Sequence, residues 1–392
     1  MSKRNLTYFS LAFVWFSVHF GGGFASGRQP VDFFIRHHWT AVFMPAVAMA
    51  TTGLTLYFGW VLAVKYNTYD YASWAKRIYY PFEKIMSPIH SVVLNVTMIL
   101  ATAVAFATSG STLEAMLGTN FLLNTVVIGL VIFLLTIFGA DLVRKVATVI
   151  SIFMMICLLG VYVPNIIAFF PKIMANLKTI HDATSAASSD TSVWEALWWG
   201  LKYGGLQGCA IGAYIVHAKA CPDTKDLKKA AFVGFLLNAG ILYLAYFGII
   251  SFYDEGSLTQ VVPSLFVVQK GIGGQIMPIV LSITLIVASV STGVSLIFGV
   301  ANRLVILFGR NMNEAQKAEN NRKHSILASL LLLIVCWGVA QFGLIPLVAT
   351  GFGAVGWMAL IVICLPVILR GVGLWKAEAS DAYSMAAAKA ER

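Results

Sequence analysis

The chain has 392 residues, of which 59% are hydrophobic and 11% charged, with a formal net charge of +10 and a mean hydropathy of +0.81. So few polar groups cannot cover a soluble globule of this length, and the composition excludes a water-soluble domain in favour of a bilayer. The apolar runs are of the ~20-residue length that crosses a ~30 Å hydrocarbon core as a helix, which excludes a β-barrel with its alternating strands of ~10 residues.

The expected fold is all-α. In chain order the sequence predicts ten spans: span 1 over 7–36, span 2 over 39–64, span 3 over 86–109, span 4 over 120–139 and span 5 over 141–170. Span 6 follows over 193–217, span 7 over 226–252, span 8 over 273–304, span 9 over 324–343 and span 10 over 345–369. The stretch 69–82, rich in Tyr, Trp, Lys and Arg, predicts an interfacial helix on the cytoplasmic surface. Spans 1 and 6 are interrupted by glycine, at Gly21-Gly22-Gly23 and at Gly204-Gly205 with Gly208 just after.

Lys and Arg set the orientation. With the N-terminus inside, 21 of the 27 fall in cytoplasmic segments and five outside (Arg28, Arg36, Lys172, Lys178, Lys270), while Lys202 lies within a span. That bias places both termini in the cytoplasm. The net charge therefore reflects topology and does not imply nucleic acid, since no basic stripe with interleaved aromatics lies outside the membrane-flanking loops. Lys3 and Arg4 before an apolar run imitate a secretory signal, but a glycine-broken first span explains the same residues. The five cysteines are scattered without CxxC spacing, so neither a disulfide framework nor a metal site is expected.

Ten spans divide into five plus five, which makes the second half an inverted copy of the first, with the broken helix leading each half. The chain then reads as a single transporter domain over 1–392, with repeats at about 7–170 and 193–369 and a cytoplasmic tail at 370–392. Unwound backbone at membrane depth is tolerated only beside a cavity, so matched breaks point to a secondary transporter. Alternatively, the same glycines serve close helix packing.

The segment from Phe20 to Gln29, FGGGFASGRQ, resembles the GAGFASGQE-type first helix of the YkvI-like membrane proteins. These are related to the amino acid-polyamine-organocation superfamily with the LeuT fold. The chain departs from that pattern at Pro30, where the family has an acidic residue. The resemblance implies a bundle of spans 1, 2, 6 and 7 rocking against a scaffold of spans 3, 4, 8 and 9.

In span 8, Ala288, Ser291 and Thr292 stand at i, i+3 and i+4, so one carbonyl and two hydroxyls share a helical face. Hard cations want oxygen ligands. The spacing resembles the sodium site of many LeuT-fold symporters, and that resemblance assigns the remaining ligands to the carbonyls of Ser17 and Phe20. The competing reading has the hydroxyls bonding their own i−4 carbonyls. No cofactor other than a coupling Na+ is expected.

The substrate is expected between the breaks. The amides of Gly22 and Gly23 start a half-helix, whose N-terminus attracts a carboxylate. Trp199, Lys202, Tyr203, Gly204, Gly205 and Gln207 supply aromatics, an amine and an amide from span 6, while Trp194, Trp198 and Trp199 equally fit an interfacial belt. Lys202 has three readings: neutralising a substrate carboxylate, titrating in place of a coupling cation, or snorkelling to an interface. His19 contacts substrate, shuttles a proton, or packs neutral against a carbonyl. Asn95, Thr97 and Thr102 are the polar residues of span 3 expected to line the site, with helix–helix glue as the alternative for Asn95.

The leading expectation is sodium-coupled symport of an amino acid or related small zwitterion, in a multi-pass protein of bacterial inner-membrane type. The second is a proton-coupled or exchange carrier using Lys202 or His19, with a quaternary ammonium compound as an alternative substrate held by cation–π attraction. A membrane enzyme lacks support, since the chain has no HExxH, GxSxG, nucleotide loop or paired carboxylates within a span. A channel lacks a charged ring or carbonyl filter sequence. The expected partners are the small substrate and lipid.

Overall fold

The computed structural model describes residues 3–185, 191–221, 223–308 and 314–373; it is dominated by helix, with no strand among them. Eight of its helices are long and apolar enough to cross a bilayer: Trp39–Tyr66, Glu83–Leu117, Phe121–Phe138, Val146–Ala168, Thr224–Ile250, Ile276–Ala301, Arg322–Ala340 and Leu344–Gly373. They match spans 2 to 5 and 7 to 10. Large apolar side chains on them are exposed, such as Phe138 at 73% and Val149 at 64%, as expected of surfaces that face lipid.

The two remaining segments are in pieces. In span 1 the helix Lys3–His19 stops, Phe20 and Gly21 leave it, and a short helix Gly22–Ala25 restarts before a turn at Gly27 and the pieces Arg28–Pro30 and Val31–Ile35. Gly27 has φ 82°, a left-handed conformation that costs glycine little. The restart is pressed against spans 3 and 8: a Cβ on Gly22 would lie 1.9 Å from Ser289 Oγ and 3.0 Å from its Cα, and one on Gly23 would lie 2.6 Å from Val104 Cγ1.

Span 6 breaks later than its glycines suggest. The helix Val193–Gly208 runs through Gly204 and Gly205 and ends at Cys209 and Ala210, followed by Ile211–Tyr214 and Ile215–Ala220. The reason is packing. A Cβ on Gly204 would meet the Ala48 carbonyl at 2.8 Å, one on Gly205 the Gly356 carbonyl at 2.2 Å, and one on Gly356 the Lys202 carbonyl at 2.3 Å. These glycines let the backbones of spans 2, 6 and 10 meet, as small residues do in membranes.

Two groups of helices emerge from the contacts. Spans 1, 2, 6 and 7 pack on one another, as do spans 3, 4, 8 and 9, while spans 5 and 10 touch both groups. The expected interfacial helix is Tyr71–Tyr79, capped by Asp70, which accepts from Ser73 N at 2.9 Å. Tyr79 anchors it by donating to the Val362 carbonyl at 2.8 Å. Two helices, Phe170–Ser185 and Pro263–Lys270, were not expected; both lie in connections after spans 5 and 7. Most of the expected tail at 370–392 lies outside the described residues.

Gly205→Ala should overpack the span 6–span 10 contact and cost about 1–3 kcal/mol, read as a lower melting temperature in detergent. Gly240→Ala, where nothing lies within 4 Å of the added Cβ, should leave that temperature unchanged or raise it.

Candidate functional site

A cavity of about 260 Å³ lies at the two breaks, just below the range of pockets for drug-sized ligands. It therefore suits a small molecule. Span 1 contributes His19, Gly21, Gly23 and Gln29; span 3 contributes Thr97, Met98, Ala101 and Val104; span 6 contributes Leu206, Gln207 and Ala210. Leu296 of span 8 and Phe352 of span 10 complete the wall, and no Asp, Glu, Lys or Arg is among these residues.

Polarity comes instead from the helix ends. Phe20 and Gly21 belong to no helical turn, so the amides of Gly22 and Gly23 open the restarted helix and the Ser17 carbonyl lies in the last turn of the first; among the described residues no backbone amide donates to the Phe20 carbonyl. At the first break Gly21 N turns back to the His19 carbonyl at 3.0 Å, and at the second Ala210 N bonds the Gln207 carbonyl at 3.3 Å. Free amides carry partial positive charge and free carbonyls partial negative charge.

A chain of hydrogen bonds crosses the first break. His19 Nδ1 lies 2.7 Å from Asn238 Oδ1 and His19 Nε2 lies 2.8 Å from the Tyr203 hydroxyl. Tyr203 stands 2.9 Å from Gln29 Oε1, and Asn238 donates its amide to the Gly234 carbonyl at 2.7 Å. His19, Gln29 and Asn238 are all buried. Gln29 closed the first-span motif but was not singled out from the sequence. Asn238 was also missed; its only signal was a polar residue inside an otherwise apolar span 7.

Several expected site residues stand elsewhere. Lys202 does not line the cavity: its ammonium lies 3.7 Å from the centre of the Trp199 ring. Trp199 is stacked with His37 at 4.8 Å and also packs near Gly353, displaced toward the far end of span 6. Trp194 is 78% exposed, in keeping with an interfacial belt. Asn95 is exposed and off the cavity, because the cavity face of span 3 runs through Thr97, Ala101 and Val104, a different stripe of the helix. Thr102 is buried and donates to its own Met98 carbonyl at 2.8 Å. Gly204 and Gly205 serve packing, as described above.

The oxygens expected to hold sodium are partly assembled. Ser17 and Phe20 offer carbonyls at the first break, and a Cβ on Gly21 would lie 3.6 Å from Thr292 Oγ1. Thr292 donates to the Ala288 carbonyl at 2.9 Å, which is the back-bonding alternative; a hydroxyl that donates keeps two acceptor lone pairs. Ser291 is buried. The hydroxyl that meets the break is Ser289, which is fully buried and has no hydrogen-bond partner.

Val18 and Ala213 on the cavity wall are exposed, Val18 at 48%. One turn nearer the N-terminus, Val14 joins Thr7, Ser10, Val216 and His217 around a groove of about 560 Å³. The opposite end is tied shut. Arg28, expected as an external charge, is fully buried and forks onto Asp32 at 2.7 and 2.5 Å, while also donating to the carbonyls of Leu258 and Gln260 at 3.0 and 2.8 Å. Arg36 adds a bond to the Leu258 carbonyl at 2.8 Å. Nearby, Lys172 pairs with Glu255 and Asp254. Burial works against the Lys172 charge, but these carboxylates hold its ammonium above the usual lysine range.

No protein-family model and no curated protein matches the sequence. Two solved structures of Mhp1, a nucleobase-cation-symport-1 family transporter, are similar in fold. The inward-facing conformation is 16% identical, covers 92% of this chain and 75% of that one, and has a TM-score of 0.52. A closed conformation with bromovinylhydantoin bound is 15% identical, covers 90% and 77%, and has the same TM-score of 0.52. The chain thus shares the LeuT fold that its first-span motif implied, and identity at this level speaks to fold alone.

Arg28→Leu should strip Asp32 of its fork and leave a buried carboxylate undercompensated, at a cost of about 3–5 kcal/mol, seen as a large drop in detergent melting temperature. Arg28→Lys, which keeps the charge but loses the fork, should fall between that variant and the parent protein.

Proposed function

We propose that the protein is a secondary active transporter that moves an amino acid or a related small zwitterion by alternating access, with sodium as the coupling ion. The observation that carries this reading is the small cavity at the two helix breaks, polar through helix ends rather than through charged side chains. A carboxylate matches the amides of Gly22 and Gly23 that open the restarted helix, an ammonium matches the C-terminal end of the helix Val193–Gly208, and Met98, Val104 and Phe352 receive an apolar side chain. Charges of both signs are then met without a charged residue, which suits a ligand of no net charge.

Sodium would be held by the carbonyls of Ser17, Phe20 and Ala288 with the hydroxyls of Ser291 and Thr292, and the position of the first two carbonyls at the break supports this. The proposal includes ten spans in two inverted halves with cytoplasmic termini, in a membrane of bacterial inner type, and kinship with the YkvI-like proteins. Packing of spans 1, 2, 6 and 7 on one another and of spans 3, 4, 8 and 9 on one another, with the restarted half of span 1 as the contact between the two groups, supports a rocking bundle. A second reading, proton-coupled or exchange transport, is favoured by His19 on the cavity wall but not by Lys202. The aromatic face of Trp199 already holds Lys202, which weighs against a quaternary ammonium ligand there.

Reconstituted protein should take up at least one of the common amino acids under an imposed sodium gradient, and Ser291→Ala and Thr292→Ala should lower that uptake by tenfold or more, while Lys202→Ala changes it less. Uptake indifferent to sodium and to both hydroxyl substitutions contradicts the sodium reading. Bromovinylhydantoin serves as a comparison competitor, since the neighbouring fold binds it.

A further inference from the structure

Three helix ends meet at one face of the membrane region: Tyr66 closes span 2, Glu83 opens span 3 and Gly373 closes span 10, with the interfacial helix Tyr71–Tyr79 connecting the first two. Two open grooves lie there. The lining of one, of about 530 Å³, includes Tyr80, Phe82, Ile85, Pro366 and Arg370, and the other, of about 410 Å³, is lined by Tyr66, Leu369 and Gly373 with the same Pro366 and Arg370. A single guanidinium therefore serves two mainly apolar troughs. The larger one opens outward, since Phe82 is 68% and Ile85 65% exposed, and a surface of this kind at a span end favours acyl chains over water.

The protein makes little use of that guanidinium. Nη2 of the half-buried Arg370 reaches the Arg77 carbonyl at 3.5 Å, the outer limit of a hydrogen bond, and Nε is buried with no hydrogen-bond partner. A planar fork of five N–H donors matches a phosphate. A second cation stands beside the smaller groove, where the Arg77 guanidinium carbon lies 5.7 Å from the centre of the Tyr66 ring. Over 65–84 and at 370 there are five Lys or Arg and two carboxylates, Asp70 and Glu83, and Asp70 is engaged in capping the interfacial helix. This face carries a surplus of positive charge.

We propose that it is a binding site for an anionic diacyl phospholipid, with the phosphate on Arg370 and the acyl chains in the two grooves. Charge and shape select this ligand together. A soluble phosphate ester leaves the apolar troughs unfilled, and a zwitterionic lipid brings its own cation into a region already rich in them. An anionic headgroup instead gains about fivefold in affinity for each Lys or Arg near the membrane surface. None of the groove residues lines the cavity, so the site stands whatever the cavity carries. A bound lipid would also reinforce the joint that Tyr79 and Arg370 make between the interfacial helix and span 10.

The test uses full-length protein in phosphatidylcholine vesicles that carry a trace of photoreactive phosphatidylglycerol or, separately, of photoreactive phosphatidylcholine, with cross-linked peptides located by mass spectrometry. The phosphatidylglycerol probe should label 80–86 and 366–373 and exceed the phosphatidylcholine probe there by about fivefold or more. Arg370→Gln should lower that labelling about fivefold and should melt with the parent protein in detergent. Ile85→Glu, which adds a carboxylate at an exposed groove position, should lower it as well and decides the matter if Arg370→Gln melts early. Lys225→Gln, which removes an exposed cation from the helix Thr224–Ile250, should leave it unchanged, and glycerol phosphate, which has the anion without the chains, should not compete. Equal labelling by the two probes, an equal loss in Lys225→Gln and Arg370→Gln, or competition by glycerol phosphate overturns the proposal. Absence of labelling at both segments overturns it too, because the grooves then hold something other than lipid.

Discussion

A backbone carbonyl or amide without a partner is costly inside a bilayer, and the rest of this structure follows from where the chain tolerates such groups. Continuous helices satisfy their own backbone between their ends, and eight segments are long and apolar enough to do so across a bilayer. Around Phe20 and Gly21, and again around Cys209 and Ala210, the continuous helix is interrupted. Both interruptions border one cavity. Helix ends of opposite sense therefore meet at that cavity, and it is their donors and acceptors that the proposed ligand would answer.

Holding the first break open takes close contact on both sides. Gly22 and Gly23 are pressed against Ser289 and Val104 so tightly that a methyl group would clash. On the side away from the N-terminus, the buried Arg28–Asp32 pair ties the restarted helix to the loop carbonyls of Leu258 and Gln260. A buried ion pair is a poor source of net stability, but breaking one is costly, so the pair acts as a tie between span 1 and the connection after span 7. The opposite end carries no such tie at Val18. The cavity thus has an ion-paired segment at one end and an exposed Val18 at the other, an asymmetry that fits the proposed alternating access.

Much of the architecture was legible in the sequence because bilayer thickness imposes a length on every span and because glycine runs disrupt helices. The first break fell where Gly21 to Gly23 indicated. The second did not: Gly204 and Gly205 pack three backbones together, and composition alone cannot separate a glycine that breaks a helix from one that admits a neighbour. The site was legible on span 1, where His19 and the glycines line the cavity, and less so elsewhere. Lys202 and Asn95 were selected because charge and polarity are rare in a span, yet which face of a helix meets a cavity depends on partners distant in sequence. Asn238 and Ser289 became visible for the same reason only once spans 7 and 8 were set against span 1.

Access to the cavity from alternate sides is the claim that joins the breaks, the tie at Arg28 and the proposed transport. Ala101 sits on the cavity wall contributed by span 3, and the five native cysteines are buried. Its replacement, Ala101→Cys, can be labelled in oriented proteoliposomes with a membrane-impermeant thiol reagent supplied from one side at a time, alongside the parent protein. The account predicts that labelling occurs from the N-terminal side, appears from the opposite side when Arg28→Leu releases the tie, and is slowed by a transported amino acid. Labelling from one side regardless of the Arg28 substitution, or from neither, would contradict it.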